Sequence, residues 1–115
     1  MAVKFIKDGT RSFFEIAPGI MASRDVDASI SSSMSCRVCE FEEMTLEWTV
    51  VYDEYIYVLE GVLTIETKEG EFTMQPNDGI WLPKNTWLVY KAAKKARALV
   101  AVFPANWREL EGADT

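Results

Sequence analysis

WTVVYDEYIYVLEG, residues 48–61, is a run of β-branched and aromatic residues interrupted by Asp53-Glu54 and closed by Gly61. Val, Ile, Tyr and Trp lose side-chain freedom in a helix but pack well on a pleated surface, so the run reads as strand. A strand's period of two places Glu54, Ile56 and Val58 on one face and Tyr55, Tyr57 and Leu59 on the other. The face that two aliphatics assign to the core therefore also carries a carboxylate. A buried acid must be paired, neutralised or used.

Working outward, the neighbouring segments repeat the pattern. The spacing predicts strands at Ser35–Phe41, Leu46–Tyr52, Tyr55–Leu59, Val62–Thr67, Glu71–Met74, Gly79–Leu82, Trp87–Lys91 and Ala98–Phe103. Turn chemistry falls between them at Glu60-Gly61, Lys68-Glu69-Gly70, Pro76 to Gly79 and Pro83-Lys84-Asn85. VLTIETKEGEFTM alternates on both sides of Lys-Glu-Gly and reads as a hairpin. Before Ser33 the signal weakens: VKFIK and FFEI are short strand candidates, and Pro18-Gly19 marks a turn. KAAKKARA, 91–98, is expected as a charged loop, and ANWREL as a short helical turn. Short strands at this spacing, with no long helical pattern, predict an all-β single domain, a sandwich or barrel. Its expected parts are N-terminal strands and loop packing on the barrel at 1–34, the barrel at 35–107 and a frayed tail at 108–115.

Composition narrows the partners. Lys and Arg number 12 against 18 Asp and Glu, a net charge of −6, which argues against nucleic acid and anionic membrane, since both need a basic footprint. No apolar run approaches the ~20 residues of a membrane span, and MAVKFIKDGTRS lacks the apolar stretch of a secretory signal. A cytoplasmic protein is expected. Cys36 and Cys39 form a C-x-x-C, but there is no second pair and the chain contains no His, so zinc lacks its four ligands. In an extended segment, residues three apart point to opposite faces. A structural role for both cysteines is the expectation.

Glu54, Tyr57 to Gly61, the hairpin, and then PNDGIWLPKN (Pro76 to Asn85) resemble the two sequence motifs of the cupins, small double-sheet barrels of the jelly-roll or double-stranded β-helix type. Glu54 and Gly61 match the Glu-to-Gly spacing of the first motif. Asp78 and Pro83 match the second, with Asn85 where the pattern has Gly. The histidines of the pattern would fall at Trp48 and Val50, or at Glu47 and Thr49, and near Leu88. The scaffold positions are kept and the imidazoles are gone. More narrowly, Tyr52 to Glu54, VLEGVL and Phe103 to Trp107 are similar to the cupin domain of EutQ-type ethanolamine-utilisation proteins. That resemblance implies a role in small-amine or aldehyde metabolism, and it carries a link to acetate-kinase-like activity and microcompartments. Cupins commonly dimerise, so a homodimer is expected.

A first-row metal in this fold wants imidazoles beside one carboxylate, so no cofactor, no metal and no metal-dependent catalysis are expected. Mg²⁺ or Ca²⁺ would need several oxygens from Glu40, Glu42, Glu43, Glu47, Asp53 and Glu54. Without His, Ser-His and Cys-His nucleophilic arrangements are excluded, and no glycine-rich phosphate loop is present. The candidate catalytic residues are Glu54, as a desolvated acid or base, with Tyr52 or Tyr57 as partner. Glu47, Trp48, Val50, Leu88 and Tyr90 are the candidate ligand-binding residues, for a small organic molecule. The competing expectation is a barrel plugged by its own side chains, Trp48 and Leu88 foremost.

Overall fold

A computed structural model of the chain describes residues 3–110, with side chains through Arg108. It is all-β apart from one helical turn. The strands are β1 (Phe14–Ala17), β2 (Ile20–Ala22), β3 (Ser35–Thr49), β4 (Asp53–Gly61), β5 (Leu63–Thr67), β6 (Gly70–Met74), β7 (Gly79–Leu82) and β8 (Trp87–Phe103), followed by α1 (Trp107–Leu110). They hydrogen-bond in the order β1-β2-β3-β8-β4-β7, while β5 pairs with β6 and with β8.

The barrel is made by two long strands. β3 and β8 stay paired from Ser35↔Val102 to Thr49↔Trp87. Along its other edge, β8 pairs first with β5 (Thr67↔Leu88 to Thr64↔Lys91) and later with β4 (Gly61↔Ala96 to Asp53↔Phe103). One strand thus runs through both walls, and the sheet folds over on itself. The expected loop at 91–98 is therefore corrected: it is the middle of β8. Ala92, Ala96 and Ala98 turn into the core while Lys94 and Lys95 are exposed opposite the bulge of β3, so the Lys-rich composition hides a strand whose period of two is interrupted once. The expected break between Phe41 and Leu46 is likewise a bulge between Glu42 and Met44, with Glu43 at φ 45°, inside a continuous β3. Val3–Lys7, expected as an edge strand, joins no ladder, whereas Ile20–Ala22, for which no strand was expected, pairs with β3.

Turn residues fix the register where side chains permit nothing else. Gly61 has φ 75°, and a Cβ there would sit 2.1 Å from the carbonyl oxygen of Lys95, so β4 and β8 approach at a distance only glycine allows. Asn85, at the pattern's glycine position, takes φ 75°, a left-handed conformation Asn tolerates, and its N–H donates to Val50 O at 2.7 Å.

Between the walls, Val50, Ile56, Val58, Leu63, Ile65 and Leu88 are fully buried, each 0% exposed. Burying such a side chain contributes roughly 1.5–3 kcal/mol, and this apolar cluster is the main stabilising element. The tail expected to fray from 108 lies, beyond residue 110, outside the described residues.

Candidate functional site

Glu54 sits near the start of β4, between Val102 on β8 and Leu82 on β7. Alternation turns it inward with Ile56 and Val58, and it is 4% exposed. Tyr90 comes from the other wall, where it pairs with Leu46 and Ile65. Its hydroxyl donates to Glu54 Oε1 at 2.8 Å, so one hydrogen bond spans the barrel from wall to wall. Among the described residues, nothing hydrogen-bonds to the second carboxylate oxygen, Oε2.

Three further groups face this carboxylate. Arg37 and Cys39 share the inward face of β3 opposite Val100 and Ala98, which places them on Glu54's side of the wall. Tyr52, in the β3–β4 turn, packs against the core with its ring 4.9 Å from that of Trp107 in α1. Trp48 neighbours the Tyr52 phenol and works against its rise. Arg37 is half-buried and, among the described residues, makes no hydrogen bond or ion pair.

The electrostatics follow from burial. Loss of water pushes the Glu54 carboxyl up to about 7, although the Tyr90 hydrogen bond and the Arg37 charge both pull it down. Burial pushes the Cys39 thiol up to about 12, which removes its thiolate at neutral pH. Burial, and then the nearby Glu54 charge, raise both Tyr52 and Tyr90, so these phenols remain donors.

The sequence candidates divide. Glu54, Tyr52 and Tyr90 come together. Trp48 shares their inward face, directly across from Leu88, but is 41% exposed and stands at the rim. Val50 and Leu88 are buried in the apolar floor. Tyr57 is turned to the outer face, where its hydroxyl donates to Asn77 Oδ1 at 2.8 Å, so it is no partner for Glu54. Glu47 also faces out and accepts from the Trp87 indole N–H at 2.7 Å. Arg37 and Cys39 were missed as site residues. The signal was present in the shared parity of Arg37, Cys39 and Phe41 within the expected strand Ser35–Phe41, but which face of that strand turns inward is set by its pairing with β8.

A metal does not fit this donor set. Trp48, Val50 and Leu88 stand at the positions of the pattern's imidazoles and offer no ligand atom suited to the ion. The acidic residues that could have served a harder cation are scattered: Glu40 lies beside Arg97, Glu47 is bound to Trp87, and Asp53 accepts from the Lys84 N–H. Among the described residues no three His, Cys, Asp or Glu side chains converge. No described helix is long and apolar enough to cross a membrane.

Two long strands shared by both walls, with an inward glutamate at the first-motif position, define a cupin. A solved RmlC-like cupin from Shewanella frigidimarina superimposes with a TM-score of 0.77 at 11% identity, over 91% of this chain and 94% of that one. Within that class, the profile of the family described as "Ethanolamine utilisation protein EutQ" matches residues 19–109, and the chain belongs to that family. The protein named acetate kinase EutQ of Clostridioides difficile (strain 630) is 30% identical over 77 residues, 67% of this chain and 49% of the relative. The chain thus spans about half the length of that curated relative. A solved ethanolamine utilization protein Q of Salmonella typhimurium LT2 superimposes with a TM-score of 0.82 at 25% identity, over 90% of this chain and 88% of that one.

Proposed function

We propose that the chain is a metal-free, EutQ-like cupin that binds a small polar organic molecule at the Glu54–Tyr90–Arg37 cluster, as an accessory in small-amine or aldehyde metabolism. One observation carries this reading. A carboxylate that is 4% exposed accepts a hydrogen bond from the Tyr90 hydroxyl, with the half-buried Arg37 guanidinium on the same interior face. A buried carboxyl raised to about 7 beside a cation is an arrangement that clusters at functional sites. Two surface concavities of about 270 and 290 Å³ lie elsewhere, one along the N-terminal segment and one beside Phe72 and Trp81.

The test is a thermal-shift screen over small amines, acids, aldehydes and phosphates, with the wild type beside Arg37→Met. A ligand held only by the native state raises the melting temperature, by about 2.7 kcal/mol of added stability at a hundred times Kd. The reading requires a hit that Arg37→Met abolishes. Phosphates belong in the screen because the relatives' name offers acetate-kinase chemistry as a competing function.

A second reading has its own observation. The fully buried floor of Val50, Ile56, Val58 and Leu88 supports a filled barrel that serves as a structural or interaction module. A screen empty in every class, with Trp107 fluorescence unmoved, favours it. Both readings take the protein as cytoplasmic and homodimeric. Tyr55, Trp81 and Phe103, exposed on the outer face of β4, β7 and β8, are the rings a partner copy would cover, and sedimentation equilibrium measures that state.

A further inference from the structure

Three cations of this acidic chain meet outside the barrel. The concavity of about 270 Å³ lies between the N-terminal segment and the residues that follow β2, and Lys4, Arg11 and Arg24 line it with one carboxylate, Asp25. Asp25 is already saturated. Its two oxygens accept from Arg11 Nε at 3.1 and 3.0 Å, a terminal nitrogen of Arg11 stands 3.0 Å from Oδ2, and the Ser23 hydroxyl donates to Oδ1 at 2.7 Å. Ser23 is 1% exposed and accepts in turn from the Val38 N–H of β3 at 2.9 Å, which anchors this clasp to the barrel. Lys4 and Arg24 are left without an acid. Lys4 Nζ donates to the backbone oxygen of Asp25 at 3.2 Å, and the Arg24 guanidinium lies 4.5 Å from the centre of the Phe14 ring. Among the described residues neither makes an ion pair. The nearby Asp27 accepts from the N–H and hydroxyl of Ser29 instead. A chain with 18 acidic and 12 basic residues thus gathers two cations around residue 25 and pairs neither.

We propose that this concavity binds the phosphate group of a small phosphate monoester, with Lys4 and Arg24 as donors to its oxygens and Phe5 and Phe14 against its organic body. A hollow lined mainly by one sign of charge concentrates the opposite sign. Because both unpaired cations stand about one residue, their complement is a single compact dianion and not two separated carboxylates. A guanidinium over a ring keeps its N–H donors for an acceptor, and phosphate oxygens match them. Phe5, Ile6 and Phe14 give the rest of the lining an apolar character, which suits an ester better than the free ion. The site shares no residue with the Glu54 cluster, so it stands whether or not the barrel interior binds a ligand. One wall, Lys4 to Ile6 and Thr10 to Ser12, belongs to the segment before β1, so binding also ties that segment to the barrel.

The probe is phenyl phosphate, titrated calorimetrically into the full chain at pH 8 and low ionic strength. The wild type is expected to bind one equivalent, more weakly as salt is added. Phenyl sulfate has the same ring and a single negative charge, and should bind about tenfold or more weakly, the worth of one charge-assisted hydrogen bond. Arg24→Gln and Lys4→Gln should each weaken phenyl phosphate by a similar factor. Both side chains are exposed, so the variants keep the fold. Lys95→Gln, which removes an exposed cation on β8, should leave the affinity unchanged. Absence of phenyl phosphate binding at low salt overturns the proposal. Phenyl sulfate or succinate binding as tightly as phenyl phosphate overturns the compact dianion. A Lys95→Gln loss equal to that of Arg24→Gln means that net charge alone attracts the ligand, and overturns the site. Binding lost in Arg37→Met, with Lys4 and Arg24 intact, places the ligand in the barrel and overturns the assignment to this concavity.

Discussion

Glu47 and Glu54 each accept one hydrogen bond from an aromatic side chain, at 2.7 Å from the Trp87 indole and 2.8 Å from the Tyr90 phenol. The bonds are alike in length and differ in everything that follows from position. Glu47 lies on the outer face of β3, where water can replace the indole at little cost. Glu54 lies inside, where the carboxylate gives up its hydration and recovers one hydrogen bond and the field of Arg37. The same donor–acceptor pair is thus a surface contact on one face of the barrel and a strained electrostatic compromise on the other. What separates them is the parity of each residue along its strand.

The largest expected effect tests the inner face as packing. Ile56→Ala opens a hole in a fully buried cluster and should cost about 2–5 kcal/mol. Trp81→Ala removes more atoms from a side chain that is 59% exposed on the outer face, and should cost less than about 1 kcal/mol. Urea unfolding of the two variants measures both, and equal losses would erase the contrast between the faces.

The next effect is electrostatic. Glu54 has an ordinary value of 4.5 when unfolded and about 7 when folded. Between these values the unfolded chain is ionised while the folded one retains its proton, so the folded state binds more protons. Stability is therefore full below about pH 4.5 and falls as pH rises to about 7. At ~1.4 kcal/mol per pH unit, the loss is on the order of 3 kcal/mol. Glu54→Gln should flatten that slope and be the more stable protein above pH 7. Chemical denaturation at pH 5, 6, 7 and 8 measures it, and a level wild-type profile would mean that Glu54 is hydrated after all.

This inner acid was readable in the sequence because Glu54, Ile56 and Val58 keep strict alternation, and the bulge of β4 comes only after them, between Val58 and Glu60. The absence of imidazoles, and Trp48, Val50 and Leu88 in their places, were equally plain. Long-range pairing was not. Nothing local says that β8 continues through Lys94 and Lys95, because the buried side of that segment is alanine, too small to give an apolar signal against three lysines. Arg37 faces Glu54 because β3 pairs with β8 and β8 with β4, and that relation exists only once the barrel closes. The cover that Trp107 places over Tyr52 has the same origin. Tyr57 shows the converse error: proximity in sequence made it a candidate partner, while its parity already turned it away.

The smallest expected effect tests the outer bond. Trp87→Phe keeps a ring in place and removes the N–H that Glu47 accepts. Glu47 is exposed, so water takes over the carboxylate, and the loss should stay within about 0.5 kcal/mol, the range of ordinary surface changes. Tyr90→Phe is the matched inner deletion, since it too removes one donor and keeps the ring. There no water is at hand, and the cost should be about 1–3 kcal/mol above pH 7, where Glu54 is charged, and smaller at pH 5, where the carboxyl is protonated. The difference between the two deletions, and its shrinkage on acidification, isolates burial as the cause. If Trp87→Phe proved as costly as Tyr90→Phe, the Glu47 bond would be structural, and the distinction drawn between the two faces would fail at its simplest point.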